Sequence, residues 1–146
     1  MKILKEEAQG IMQRRVFITS LVIVLCVVGW GAYKLFSTKS AMYDTQRILV
    51  VVRSTGEVKE ITDRDIIRRI VDVVVHNERD GLEGIILQPY TYSLEFFTED
   101  TGFGPLLCYR DLGICRFEQD TMGRYIEVPD EFFRWIEEGL KEQPSK

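Results

Sequence analysis

The chain is short of the residues from which common enzymatic sites are built. Its 146 residues hold a single histidine, His76. No serine sits in a nucleophile-elbow motif, and no second base accompanies the one imidazole, so the usual hydrolytic constellations have nothing to assemble from. The three cysteines lack the compact Cys-x-x-Cys spacing of a redox or zinc motif. The acidic pairs Glu99-Asp100 and Asp130-Glu131 lack the Asp-x-Asp-x-Asp-Gly rhythm of a calcium loop, and they fit a turn and a helix start instead. Gly102-Phe103-Gly104-Pro105 has none of the flanks of a phosphate loop. The expectation is that the chain is not an enzyme and takes no cofactor or metal. His76 reads as a surface or helix-capping histidine, with a pH-sensing role as the sharper alternative.

An excess of basic charge is confined to the amino-terminal part of the chain. The total is −4, yet residues 1–39 carry six basic and two acidic side chains, a net +4, so the remainder carries −8. An acidic domain argues against nucleic acid, whose counterions are displaced by clustered Lys and Arg. It also argues against docking on anionic lipid.

The chain does contain one long uncharged run, Val16–Tyr33, with Arg14-Arg15 before it and Lys34 after. Its apolar residues lie all round a helix, from Phe17 and Leu21 to Val28 and Trp30, and Leu35 and Phe36 lengthen it. A helix of about 18 such residues is close to the length that crosses a hydrocarbon core of ~30 Å while satisfying its own backbone hydrogen bonds. The reading is a transmembrane helix over residues 16–36. Lys2, Lys5, Arg14 and Arg15 against Glu6 and Glu7 place residues 1–15 in the cytoplasm as a tail, and the carboxy-terminal domain outside. Lys34 and Lys39 reduce that contrast. The competing reading is a cleaved signal peptide, which calls for an apolar region of about 7–15 residues and a small-x-small site. Here Lys39 stands where a small residue is wanted before Ala41. Cys26 lacks the small residues that precede a lipid-modified cysteine and reads as a buried, inert thiol. Gly29 and Gly31 permit close approach of a neighbouring helix.

Residues 37–46 read as a short polar linker, residues 47–141 as one domain and residues 142–146 as a tail. Residues 47–53 form a β-branched run that fits a strand buried on both faces. Val58 and Ile61 bound a short return strand after the turn at Ser54-Thr55-Gly56. Thr62 is the expected cap of a helix whose apolar stripe is Ile66, Ile67, Ile70, Val71 and Val74, ending near His76-Asn77. Residues 78–84 read as polar loop. From Tyr90 the period becomes two, giving a half-buried strand through Phe96, then a turn over residues 98–104. Residues 106–109 and 114–117 flank a hairpin turn, and residues 124–128 add a strand. Pro129-Asp130-Glu131 opens a closing helix with Phe132, Phe133, Ile136 and Leu140 on one face, its end weakened by Gly139. The fold class is α+β: an amino-terminal transmembrane helix, then a two-layer domain of antiparallel sheet with two helices.

Two places stand out as candidate sites. A hairpin turning symmetrically about Asp111-Leu112 sets Cys108 opposite Cys115, near disulfide range. The alternatives are a bond, which an exported domain permits, and two buried reduced thiols. In the closing helix Trp135 lies about 100 degrees from the centre of the apolar stripe, so it and Arg134 form a candidate partner surface. The plainer reading of Trp135 is packing at the rim of the core.

The domain resembles the small anchored YhfM-like domains of Gram-positive cell envelopes. The resemblance is carried by Ile48-Leu49-Val50-Val51-Val52, by Ile61-Thr62-Asp63 leading to Ile66, Ile67 and Ile70, by Pro89-Tyr90 before Tyr92-Ser93-Leu94-Glu95-Phe96, and by the strand and helix over residues 125–140. It covers most of residues 47–141. Those relatives are commonly lipid-anchored, whereas this chain has an apolar helix. The resemblance implies an extracytoplasmic domain. The expected function is a membrane-anchored protein-interaction domain, an accessory or adaptor component binding another envelope protein. The alternative is an envelope sensor or small-ligand binder, with a tyrosine-lined pocket between sheet and helices.

Overall fold

The computed structural model describes residues 2–82 and 88–141, with side chains at 16–33, 39–82 and 88–141. The tail at 142–146 and the side chains of Lys2, Lys5, Arg14, Arg15, Leu35 and Phe36 lie outside the described residues. The chain divides into two compact units, Met1–Thr38 and Lys39–Lys146.

The first unit is dominated by helix α1 (Lys2–Met42), which continues into the second. Its segment Val16–Tyr33 is long and apolar enough to cross a membrane, and none of it is buried in the structure. Leu21, Val24, Val28 and Trp30 are all more than half exposed, so their burial requires something other than this chain. Cys26 lies on the same exposed surface of the helix. The expected linker at 37–46 is helical as far as Met42. Hydrogen bonds from the amides of Tyr43 and Thr45 to the carbonyls of Ser40 and Met42 then close the helix in a single turn.

Among its described residues the second unit is an antiparallel sheet of seven strands with two helices on one face. The strands are β1 (Arg47–Val52), β2 (Val58–Ile61), β3 (Glu78–Arg79), β4 (Tyr92–Phe97), β5 (Gly102–Tyr109), β6 (Ile114–Phe117) and β7 (Tyr125–Glu127). Their order across the sheet is β2-β1-β4-β5-β6-β7-β3. Helices α2 (Arg64–His76) and α3 (Asp130–Lys141) pack against each other, and α3 also packs on β2. Period-two alternation turns Ile48, Val50, Leu94, Phe96, Leu106 and Cys108 inward. They meet Ile67, Ile70 and Val71 of α2 and Phe132 and Ile136 of α3 in one core.

Several expectations are corrected by the packing. β1 is buried on one face only; Leu49 and Val51 are half-exposed on the other. Asp63, not Thr62, caps α2: its carboxylate accepts a 2.8 Å hydrogen bond from the Ile66 amide. The expected turn at 98–104 is shorter, because β5 already begins at Gly102 and crosses an irregularity in its pairing with β4 between Leu94 and Phe96. Gly104 sits there at φ +127°, where an added Cβ would stand 2.8 Å from the Leu94 carbonyl oxygen. The polar stretch after α2 holds a seventh strand, β3, paired with β7. The hairpin turn between β5 and β6 is a single 3-10 turn (Arg110–Leu112) ended by Gly113 at φ +62°. α3 runs to Lys141, and Gly139 within its last turn is buried against Ile61.

Candidate functional site

α3 carries the expected partner residues at the exposed margin of the helix layer. Phe132, Phe133 and Ile136 are buried, which fixes the rotation of the helix. Trp135 is thereby left half-exposed, with part of its ring against the core. The guanidinium of Arg69, from the facing side of α2, lies 6.0 Å from the centroid of the Trp135 ring. Arg134 points outward and pairs with Glu131 at 3.4 Å, a contact between exposed side chains. A half-buried indole flanked by two arginines therefore faces solvent in a domain that is otherwise acidic. Arg69 is the member of this patch that the sequence did not reveal, because it joins Trp135 only through the packing of α2 on α3.

A second concave feature lies where the turn after α1 meets the first half of α2. Tyr43, Thr45, Arg64, Ile67, Arg68 and Val71 line a cavity of about 270 Å³. Thr45 is buried and its hydroxyl donates to the Met42 carbonyl at 2.6 Å, fixing the turn. The Tyr43 hydroxyl donates to Asp72 Oδ1 at 2.9 Å and lies 3.4 Å from His76 Nδ1. Burial, reinforced by the Asp72 hydrogen bond and charge, raises the Tyr43 phenol above its ordinary value, and the nearby positive charge of Arg68 offsets part of this. Ile67 and Val71 form an apolar floor. Among the described residues, no ion pair or hydrogen bond engages the side chain of Arg64 or Arg68.

Cys108 and Cys115 are directly opposed, the register expected. The Glu118 amide donates to the Pro105 carbonyl, so their pair is a hydrogen-bonded one. Bonded and non-bonded pairs alternate along an antiparallel ladder, which makes 108–115, three steps on, a non-bonded pair with closely spaced α-carbons. Both are free thiols with no solvent exposure. Burial, together with the hydrogen bond and charge of Cys108, pushes the Cys115 thiol well above its ordinary value.

The remaining candidates take structural positions. His76 is exposed at the end of α2, its Nδ1 2.9 Å from the Asp72 carbonyl. Glu99-Asp100 lies in the turn before β5, and Asp130-Glu131 begins α3. Among the described residues no cluster of three or more metal-ligating side chains occurs. Of the tyrosines expected to line a ligand pocket, Tyr92 and Tyr109 are buried and Tyr90 stacks under the guanidinium of Arg53 at 4.8 Å. No protein-family model, curated protein or solved structure matches this chain.

Proposed function

We propose that the chain is a single-pass membrane protein, amino end in the cytoplasm, whose outer α+β domain captures another envelope protein as an accessory or adaptor component. The observation that carries this reading is the patch of Trp135 with Arg69 and Arg134. Half-exposed indoles and arginines are the side chains that dominate protein interfaces, since each couples a large contact area to directional hydrogen bonding. The exposed apolar helix supports a tether that holds this patch at a membrane surface. The excess of basic residues before it supports the orientation, and the resemblance to YhfM-like envelope domains supports the same location. The expected partner surface is acidic, because it would meet two guanidinium groups around one aromatic ring.

The test is capture of the full-length protein, tagged at its amino end, from gently solubilised membranes. A stoichiometric companion should be retained by the parent chain and lost in the Trp135→Ala chain and in Arg69→Gln/Arg134→Gln. The second variant touches only exposed side chains, so it separates lost recognition from lost folding. Equal capture by the parent and the arginine variant overturns the assignment of this patch.

A second reading, an envelope sensor or small-ligand binder, is favoured by one observation, the cavity beside Tyr43. Ligand-dependent thermal stabilisation is its test.

A further inference from the structure

The cavity between the turn after α1 and the first half of α2 has an unusual composition. Its floor is apolar, from Ile67 and Val71, and its rim carries Arg64 and Arg68, four residues apart on one helix. Side chains at that spacing lie about 5–6 Å apart at their β-carbons, so both guanidinium groups reach one small ligand. Each presents planar, paired N–H donors matched to an oxyanion.

Asp44 and Asp65 adjoin lining residues in sequence, and neither forms an ion pair with Arg64 or Arg68 among the described residues. Asp63 accepts from the Ile66 amide as the cap of α2, and Asp72 accepts from the Tyr43 hydroxyl. Among the described residues Arg64 and Arg68 have no ion-pair partner, whereas most other arginines of the domain have a carboxylate or an aromatic ring. Arg47, Arg79, Arg110, Arg124 and Arg134 pair with carboxylates. Arg53 and Arg69 lie over rings. Two unneutralised cations held at one concavity, inside a domain of net negative charge, form a local attractive site that the overall charge does not predict.

We propose that this cavity is a phosphate-binding site, with Arg64 and Arg68 as its cationic clamp and Ile67 and Val71 as the floor beneath the ligand's apolar neighbour. Two guanidinium groups match the several anionic oxygens of a phosphate group, monoester or diester, better than a single carboxylate, and a cavity of about 270 Å³ admits a phosphate ester with a small substituent. Arg69 and Trp135 are not among the residues that line the cavity, so this site rests on and deepens the sensor reading while being independent of the adaptor reading. Loss of phosphate binding would leave partner capture through Trp135 untouched, and the reverse also holds.

The experiment uses the full-length protein in maltoside micelles, which contain no phosphate. Calorimetric titrations with inorganic phosphate and with water-soluble dihexanoyl phosphatidylglycerol are run at constant ionic strength, on the parent chain and on Arg64→Gln/Arg68→Gln. Saturable binding by the parent, weakened about tenfold or more in the variant, is the expected result. Saturation by inorganic phosphate assigns a free phosphate or monoester as the ligand source, and saturation by the phosphatidylglycerol alone assigns a lipid headgroup. Absence of saturation with both probes overturns the proposal, as does equal affinity in the variant. The variant changes only exposed side chains, so an unaltered melting temperature without ligand separates lost binding from lost fold.

Discussion

Gly139 of α3 and Ile61 at the end of β2 approach so closely that no side chain fits between them. A Cβ built on Gly139 would stand 2.9 Å from Ile61 Cδ1 and Cγ1 and 3.0 Å from Cγ2. Both residues are buried, and this contact sets the distance of α3 from the edge of the sheet. Gly139→Ala would gain about 1 kcal/mol of helix propensity and lose roughly 1–3 kcal/mol to overpacking. The expected net effect is destabilisation by up to about 2 kcal/mol. In an Ile61→Ala background the clashing atoms are gone, and the same substitution should become stabilising. Urea unfolding followed by tryptophan fluorescence measures both. The same sign in both backgrounds would contradict the packing argument.

The opposed pair Cys108 and Cys115 is closed to reagents once the domain has folded, since neither side chain is exposed and burial keeps the Cys115 thiol protonated. Bond formation then belongs to the unfolded or partly folded chain. Refolding with oxidised glutathione is expected to join the two sulfurs, with the glutathione disulfide reduced to two thiols and the protein lighter by two hydrogens. The folded, reduced protein should resist the same treatment. In the loop-entropy account a short enclosed loop of this kind contributes roughly 2 kcal/mol. Intact mass and urea midpoints with and without Cys108→Ser check this. Equal oxidation of the folded protein, or none on refolding, would count against it.

Local sequence pattern accounts for the features above that were legible in advance. Val16–Tyr33 is apolar on every side of a helix, and the stripe from Ile66 to Val74 fixes the buried face of α2 before any packing is known. The hairpin register that opposes Cys108 and Cys115 follows from turn symmetry alone. What escaped reading depends on contacts between distant segments. Glu78 and Arg79 have no strand signal of their own and become β3 only by pairing with Ile126 and Tyr125. Thr62 and Asp63 are both good caps, and the backbone leaving β2 decides for Asp63. Gly139 reads as a helix weakness until Ile61 is seen beneath it. The cavity joins Tyr43 to Arg64 and Arg68 across two strands, and no sequence spacing announces it.

The proposed topology makes a separate prediction. With the amino end inside and the helix retained, protease added to intact cells should digest the carboxy-terminal domain and leave an amino-terminal tag protected and membrane-bound. A protected domain with an accessible tag would reverse the orientation. A soluble domain separated from its tag would replace the anchor by a cleaved signal peptide.

Besides the exposed Tyr43, three buried or partly buried groups shape the response to alkaline pH. Tyr92 and Tyr109 are held above the ordinary phenol value of 10.0, in both cases chiefly by burial, with the charge of Glu137 adding to the effect on Tyr92. Cys115 is held well above its ordinary 9.0 by burial and by Cys108. These groups ionise near their ordinary values in the unfolded chain, so above those values the unfolded state binds fewer protons than the folded state. Stability must then fall as pH rises. The reduced domain should therefore be insensitive to these groups below about pH 9 and lose stability progressively through pH 10 and above. Each tyrosine adds a slope of at most about 1.4 kcal/mol per pH unit. Tyr109→Phe removes one such group without removing its ring, and its urea midpoint should decline less steeply over the same range. A parent chain whose stability stayed level from about pH 9 to 11 would mean that these side chains ionise as readily in the folded domain as in the unfolded one.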